Sequence, residues 1–206
     1  MIRVADNQAQ VLVVCTGNIC RSPLIERVLQ ASLDVGSVRV RSAGTYAMVG
    51  ETMTAESAAE VARLGANPDG HVAEQLTAQL VADADLVVTA TRAHRAQVVT
   101  LLPRATRTTF TLRELGRLLE QVDPARLPDE LAERVRALPA AAAAFRGFAP
   151  PEHEGADDVT DPIGGSGAVY RRTTEQILPA LTSLVRVLTG QHMVGLTAEG
   201  TTRPAL

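Results

Sequence analysis

The sequence predicts an α/β fold, a four-stranded parallel sheet flanked by helices, and three observations predict it. Short apolar, β-branched runs recur along the chain, segments of helical spacing separate them, and glycine closes two of these units, at Gly44 and Gly65. Val11-Leu12-Val13-Val14 is wholly apolar, as expected of a strand buried on both faces of a parallel sheet, and it ends at Cys15. From Ser22 the pattern turns helical, with Leu24, Val28 and Ala31 on one face and Pro23 tolerated in the first turn. Val38 to Ala43 alternates as a second strand and closes at Gly44. Thr54 to Leu64 then reads as a helix stopped by Gly65, and Thr77 to Ala82 as a further short helix. Asp85 to Ala90 is the third strand, Ala93 to Leu102 a helix, and Thr106 to Phe110 a weaker fourth strand.

Leu112 to about Ala144 reads as one or two helices parted at Asp123-Pro124, with an alanine run after Pro139 that favours helix. Residues 112–157 are thus expected to form an extra, accessory helical segment. Phe148 to Asp158, rich in proline and acidic residues, reads as a mobile loop, and Val169 to Leu188 as a closing amphipathic helix. One domain over residues 8–190 and a loosely held tail at 191–206 complete the organisation.

With 206 residues and 46% hydrophobic content, the chain is long enough to bury a substantial core. Aromatic residues make up only 2% and the net charge is -3, which argues against stacking platforms for bases and against phosphate-backbone binding, so no nucleic-acid partner is expected. No apolar run reaches the roughly 18 to 20 residues a bilayer requires, and Met1 to Gln10 has no leader pattern; a cytoplasmic protein without membrane insertion is the expectation. The two cysteines lie five residues apart, which points to reactivity rather than to a disulfide framework. His71, His94, His153 and His192 lack the short paired spacings of zinc sites, so neither a metal nor another cofactor is called for.

The chemistry concentrates in Cys15-Thr16-Gly17-Asn18-Ile19-Cys20-Arg21-Ser22, a loop between the first strand and its helix. Open α/β sheets bind ligands at this end of the strands. Backbone amides of such a loop, together with the helix N-terminus, suit a phosphate, and the same field stabilises a negatively charged sulfur at Cys15. Gly17 permits close backbone approach, while Asn18 tolerates the left-handed region and offers an amide to tie the loop. Arg21 can present its planar fork to two phosphate oxygens, Ser22 can donate to the sulfur, and Ile19 can line the pocket wall.

Val14 to Pro23 resembles the phosphate loop of the bacterial low-molecular-weight protein tyrosine phosphatases. Ser42-Ala43-Gly44-Thr45, Gly70-His71-Val72-Ala73, Ala84 to Val88 and Asp161-Pro162 extend the resemblance over most of residues 11 to 110 and 158 to 188. It implies Cys15 as nucleophile, Arg21 as phosphate clamp and Asp161 as general acid on a separate loop. Thr16 to Ser22 would hold the phosphate, and Asn18, Ser22, Ser42 and His71 would brace the loop from behind. It further implies a phosphorylated protein as substrate, with a bacterial tyrosine kinase or its targets as partners. Because Cys15 must be ionised while Asp161 is protonated, a bell-shaped, mildly acidic pH optimum follows.

Other readings stand beside these. Cys20 is either an inert packing thiol or the partner of a reversible disulfide with Cys15. His94 reads as a solvated helix residue, and Asp157 and Asp158 as a solvated acidic loop. The family often carries an aromatic residue after Asp-Pro where this chain has Ile163, and Tyr46 or Met48 is a candidate for another wall. A protein-arginine phosphatase, an arsenate reductase and a non-catalytic phosphate-binding module are the rival functions; Ile19 favours a phenyl ring over the threonine usual in the arginine-specific relatives.

Overall fold

A computed structural model describes residues 8–190; the expected tail at 191–206 lies outside the described residues. Four strands, β1 (Ala9–Cys15), β2 (Val38–Gly44), β3 (Leu86–Thr89) and β4 (Thr109–Thr111), form one sheet in the order β2-β1-β3-β4, with all pairs parallel. The helices are α1 (Arg21–Ser32), α2 (Ala55–Arg63), α3 (Ala78–Asp83), α4 (Arg92–Leu101), α5 (Leu112–Leu119), α6 (Leu131–Ala143) and α7 (Gly167–Thr189). Short 3-10 turns at Pro103–Arg107 and Pro124–Arg126 link the later elements. The fourth strand is shorter than its sequence pattern: Thr106 and Arg107 close the 3-10 turn begun by Pro103 rather than extending β4.

Side-chain alternation divides β1 between two cores. Val11 and Val13 join a large cluster with α1, α5, α6 and α7, while Leu12 and Val14 pack against Leu80, Val81 and Val98 of α3 and α4. Burial on both faces is why this strand carries no polar residue between Val11 and Val14. From β1 the chain moves to β2 on one side and later to β3 on the other, so the crevice beyond Cys15 is the switch point of the sheet.

The helices of residues 112–157 are part of this architecture rather than an appendage. Leu112, Leu115, Leu118 and Leu119 of α5 and Val135, Leu138 and Ala142 of α6 are fully buried in the larger cluster. A Cβ added to Gly116 would lie 2.6 Å from Ala180 Cβ, so this glycine lets α5 and α7 cross in close contact. Thr111 starts α5 with a complete capping box to Glu114. α6 packs against the sheet with Arg136 near Asp85, at the end of the strands opposite Cys15.

The loop expected to be mobile is divided. Phe148 is 83% exposed, whereas Ala156 and Asp157 are buried. Asp157 pairs with Arg117 of α5, and Asp158 accepts a hydrogen bond from the Arg92 amide at the start of α4 at 2.7 Å. The reading of Asp157 as part of a solvated acidic loop is therefore corrected, whereas the Asp158 side chain stays 36% exposed. Their partners lie 40 and 66 residues away in the chain, beyond the reach of local pattern. No helix among the described residues is long and apolar enough to cross a membrane.

Candidate active site

The loop after β1 is held by its carbonyls. Cys15 O accepts from Thr45 N, Thr16 O from Tyr46 N, Gly17 O from Met48 N and Ile19 O from Thr54 N, all at 2.9 to 3.0 Å. Asn18 O accepts from His71 Nε2 at 2.7 Å. In a trans peptide the N–H points opposite to the preceding C=O, so five carbonyls turned outward turn the amides of Thr16, Gly17, Asn18, Ile19 and Cys20 toward the interior of the loop. Among the described residues those five amides donate to no protein acceptor. The N-terminus of α1 opens on the same space.

Two residues make this geometry possible. Asn18 is the only non-glycine described with positive φ, at 57°, in the left-handed region that asparagine tolerates. Gly44 has no room for a side chain, since a Cβ there would meet Thr16 O at 2.3 Å. The strand-ending Ser42-Ala43-Gly44-Thr45 thus allows the chain to pass against the loop and collect its carbonyls.

The side chains form a directed chain of hydrogen bonds. Asn18 Nδ2 donates to both Ser22 Oγ and Ser42 Oγ at 2.8 Å, and Asn18 Oδ1 accepts from Glu74 N at 2.8 Å. Ser42 donates onward to Glu26, which also lies 3.5 Å from His71 Nδ1. With its oxygen accepting from Asn18, Ser22 keeps its own hydrogen for Cys15 Sγ, 3.0 Å away. Asn18, Ser22, Ser42 and His71 therefore meet in one network behind Cys15. Glu26 was missed by the sequence reading although it sits one helical turn after Ser22, a spacing that puts both on one face.

Arg21 is 4% exposed and spans the crevice. Its Nη1 donates to Val159 O at 3.2 Å, and its Nη2 to Asp161 Oδ2 at 2.6 Å and Thr16 Oγ1 at 3.4 Å. Its Nε is buried and meets no acceptor among the described residues. Asp161, 42% exposed, also accepts from Ile163 N through Oδ1 at 3.3 Å, so Asp-Pro forms an Asx turn while its other oxygen meets Arg21. Val159 N bonds Ala90 O beyond the end of β3, and Gln176 of α7 holds Thr160 from both sides, which fixes the segment carrying Asp161.

Cys20 faces a different environment. It packs with Ile19, Ala73 and Tyr170, with Tyr170 Oη 3.6 Å from its sulfur, and burial pushes its thiol pKa up. Both cysteines are free thiols. Tyr46, Met48 and Ile163 are exposed, with Met48 packed close to Gly17.

His94 overturns its sequence reading. Instead of being solvated, it is 6% exposed, with Nε2 2.9 Å from Thr16 Oγ1 and Nδ1 2.8 Å from Thr91 Oγ1. The signal was Thr91, which ends the β3 side of the crevice and caps α4, so that a histidine three residues on returns toward the loop. Burial, and then the Arg21 charge, lower its pKa to about 4. Its imidazole should titrate near that value by NMR rather than near 6.5. Because the unfolded chain binds this proton more readily, the associated stability is present above pH 6.5 and lost as pH falls toward 4. A His94 resonance titrating at 6.5 would contradict the burial.

Residues 10–138 match the family described as low molecular weight phosphotyrosine protein phosphatase. The chain belongs to this family. Its enzyme class is accordingly that of the low-molecular-weight protein-tyrosine-phosphatases. Among its relatives, Etp of Escherichia coli strain K12, a low molecular weight protein-tyrosine-phosphatase, is 36% identical over 125 residues, 61% of this chain and 83% of that protein. Wzb of Salmonella typhi is 35% identical over 94 residues, 46% of this chain and 62% of its own. The arginine phosphatase YwlE of Geobacillus stearothermophilus superposes with a TM-score of 0.64 at 25% identity, covering 88% of this chain and 94% of that one. The tyrosine phosphatase AmsI of Erwinia amylovora gives 0.63 at 23% identity, over 92% and 98%, which speaks for the fold alone.

Proposed function

We propose that the protein hydrolyses phosphate monoesters, protein phosphotyrosine foremost, by metal-independent transfer of the phosphoryl group to Cys15. The observation that carries this reading is the ring of inward amides around a sulfur that receives the Ser22 hydrogen bond. Such a ring offers the equatorial phosphoryl oxygens preorganised donors, and Arg21 adds the charge and planar fork, including its unpaired Nε.

In the first step Cys15 Sγ attacks phosphorus in line, the bond to the leaving oxygen breaks, and Asp161 gives that oxygen its proton. In the second, water attacks the cysteinyl phosphate, the S–P bond breaks, and Asp161 takes the proton back as base. Arg21 Nη2, which holds Asp161 at 2.6 Å, is the group that must exchange this carboxylate for the incoming phosphoryl group. That exchange frees Asp161 to act on the leaving group.

Exposed Tyr46, Met48 and Ile163, on the segments beside the loop and Asp161, suit a phenyl ring. A phosphorylated protein is the proposed substrate, with a bacterial tyrosine kinase or its targets as partners. The likeness to an arginine phosphatase is the one observation favouring that second reading. A single assay with phosphotyrosine peptide, phosphoarginine, and arsenate plus thiol decides among them. Turnover of the phosphotyrosine peptide well above the other two is expected; faster phosphoarginine or arsenate turnover would replace the proposal by the corresponding rival.

A further inference from the structure

The proposed chemistry leaves one buried, fully bonded imidazole beside the loop unused. His94 reaches Thr16 through Nε2 and Thr91 through Nδ1. Thr16 Oγ1 also accepts from Arg21 Nη2, the nitrogen that holds Asp161. His94 thus meets the loop through one hydroxyl, next to the two charged groups of the site.

A proton count orients that hydroxyl. Burial and the Arg21 charge keep His94 neutral at neutral pH, so the ring carries a single N–H. Thr91 Oγ1 accepts from the backbone amide of His94, and among the described residues the one acceptor recorded near its own hydrogen is Nδ1. Assigning the Thr91 hydrogen to Nδ1 leaves the ring N–H on Nε2, directed at Thr16. Thr16 Oγ1 then accepts from both Nε2 and Arg21, and its own hydrogen remains free on an exposed side chain of the loop. The opposite tautomer would consume the Thr16 hydrogen and strand that of half-buried Thr91.

We propose that His94 is a positioning residue which, by donating to Thr16, makes the Thr16 hydroxyl a hydrogen-bond donor to an oxygen of the bound phosphate ester. This rests on the phosphatase reading, whose substrate supplies the acceptor. Thr16 makes the contact, and His94 acts only through it.

Kinetics with p-nitrophenyl phosphate test the inference. Thr16→Val and His94→Phe should each lower kcat/KM by about tenfold, the scale of one hydrogen bond to a charged group. The double variant should lose no more than Thr16→Val alone, and Thr16→Ser should restore most of the loss. Losses that multiply in the double variant, or a Thr16→Val enzyme as active as the parent, would overturn the proposal. A second arm needs no turnover: calorimetry of inorganic phosphate binding to the Cys15→Ser protein, with and without Thr16→Val. About tenfold weaker binding supports the hydroxyl contact, and unchanged binding refutes it. Failure of the parent enzyme to hydrolyse the ester would instead count against the phosphatase reading, so the two failures are distinguishable.

Discussion

Replacing Cys15 by serine is expected to lower turnover of a phosphotyrosine peptide by about 10⁴-fold or more, while inorganic phosphate still binds. The loss follows from the nucleophile: a serine hydroxyl at this position stays protonated, and the group beside it, Ser22 Oγ at 3.0 Å from the sulfur, is itself a hydroxyl too weakly basic to take its proton. Retention of binding follows from the cradle, because the amides of Thr16 to Cys20 and the Arg21 guanidinium owe their positions to the outward carbonyls and to Val159, not to the sulfur. Steady-state kinetics and calorimetry on one preparation check both halves. A Cys15→Ser enzyme with a tenth of the parent activity would remove the covalent mechanism, and loss of phosphate binding would remove the account of the cradle.

Asp161→Asn is expected to reduce kcat by about 10² to 10⁴ for phenyl phosphates with poor leaving groups. For p-nitrophenyl phosphate the loss should be smaller, because that leaving group departs with little need of a proton. The substitution preserves the Asx turn, as an amide oxygen can accept from Ile163 N as Oδ1 does at 3.3 Å. It removes the ion pair to Arg21 Nη2 at 2.6 Å, so KM should not rise and phosphate should compete with one carboxylate fewer. A plot of kcat against leaving-group acidity makes the test. Full turnover, or an equal loss for every leaving group, would remove Asp161 from the acid role.

The parts of the site legible in the sequence are those whose reasons are local. The strand from Val11 to Val14 is apolar because both faces are buried, the helix begins where Pro23 is tolerated, and Ser22 reaches Cys15 across a single loop. Asn18 in the left-handed region was likewise expected from its residue type. Ser42 and His71 in the network, and Asp161 on its separate loop, are reached only through the resemblance, since nothing local sets apart a serine in a strand or an Asp-Pro turn. Where such signals are faint or absent, the sequence misleads: His94, marked only by the capping Thr91, and Asp157, marked by nothing local, both read as solvated and both are buried.

By itself, then, the sequence determined the α/β architecture, the loop from Cys15 to Ser22 and the capacity of that loop to hold a phosphate. Each of these follows from hydrophobic alternation or from backbone preferences acting over a few residues. Only the tertiary structure decided that Arg117 anchors Asp157, that Glu26 receives Ser42, and that His94 turns inward to Thr16. The physical reason lies in the order β2-β1-β3-β4, which sets the ends of β1 and β3 side by side and brings Thr16 within 2.9 Å of a histidine 78 residues later in the chain. Such contacts depend on where whole elements pack, and a buried charge or imidazole is then stable only because that packing supplies its partner.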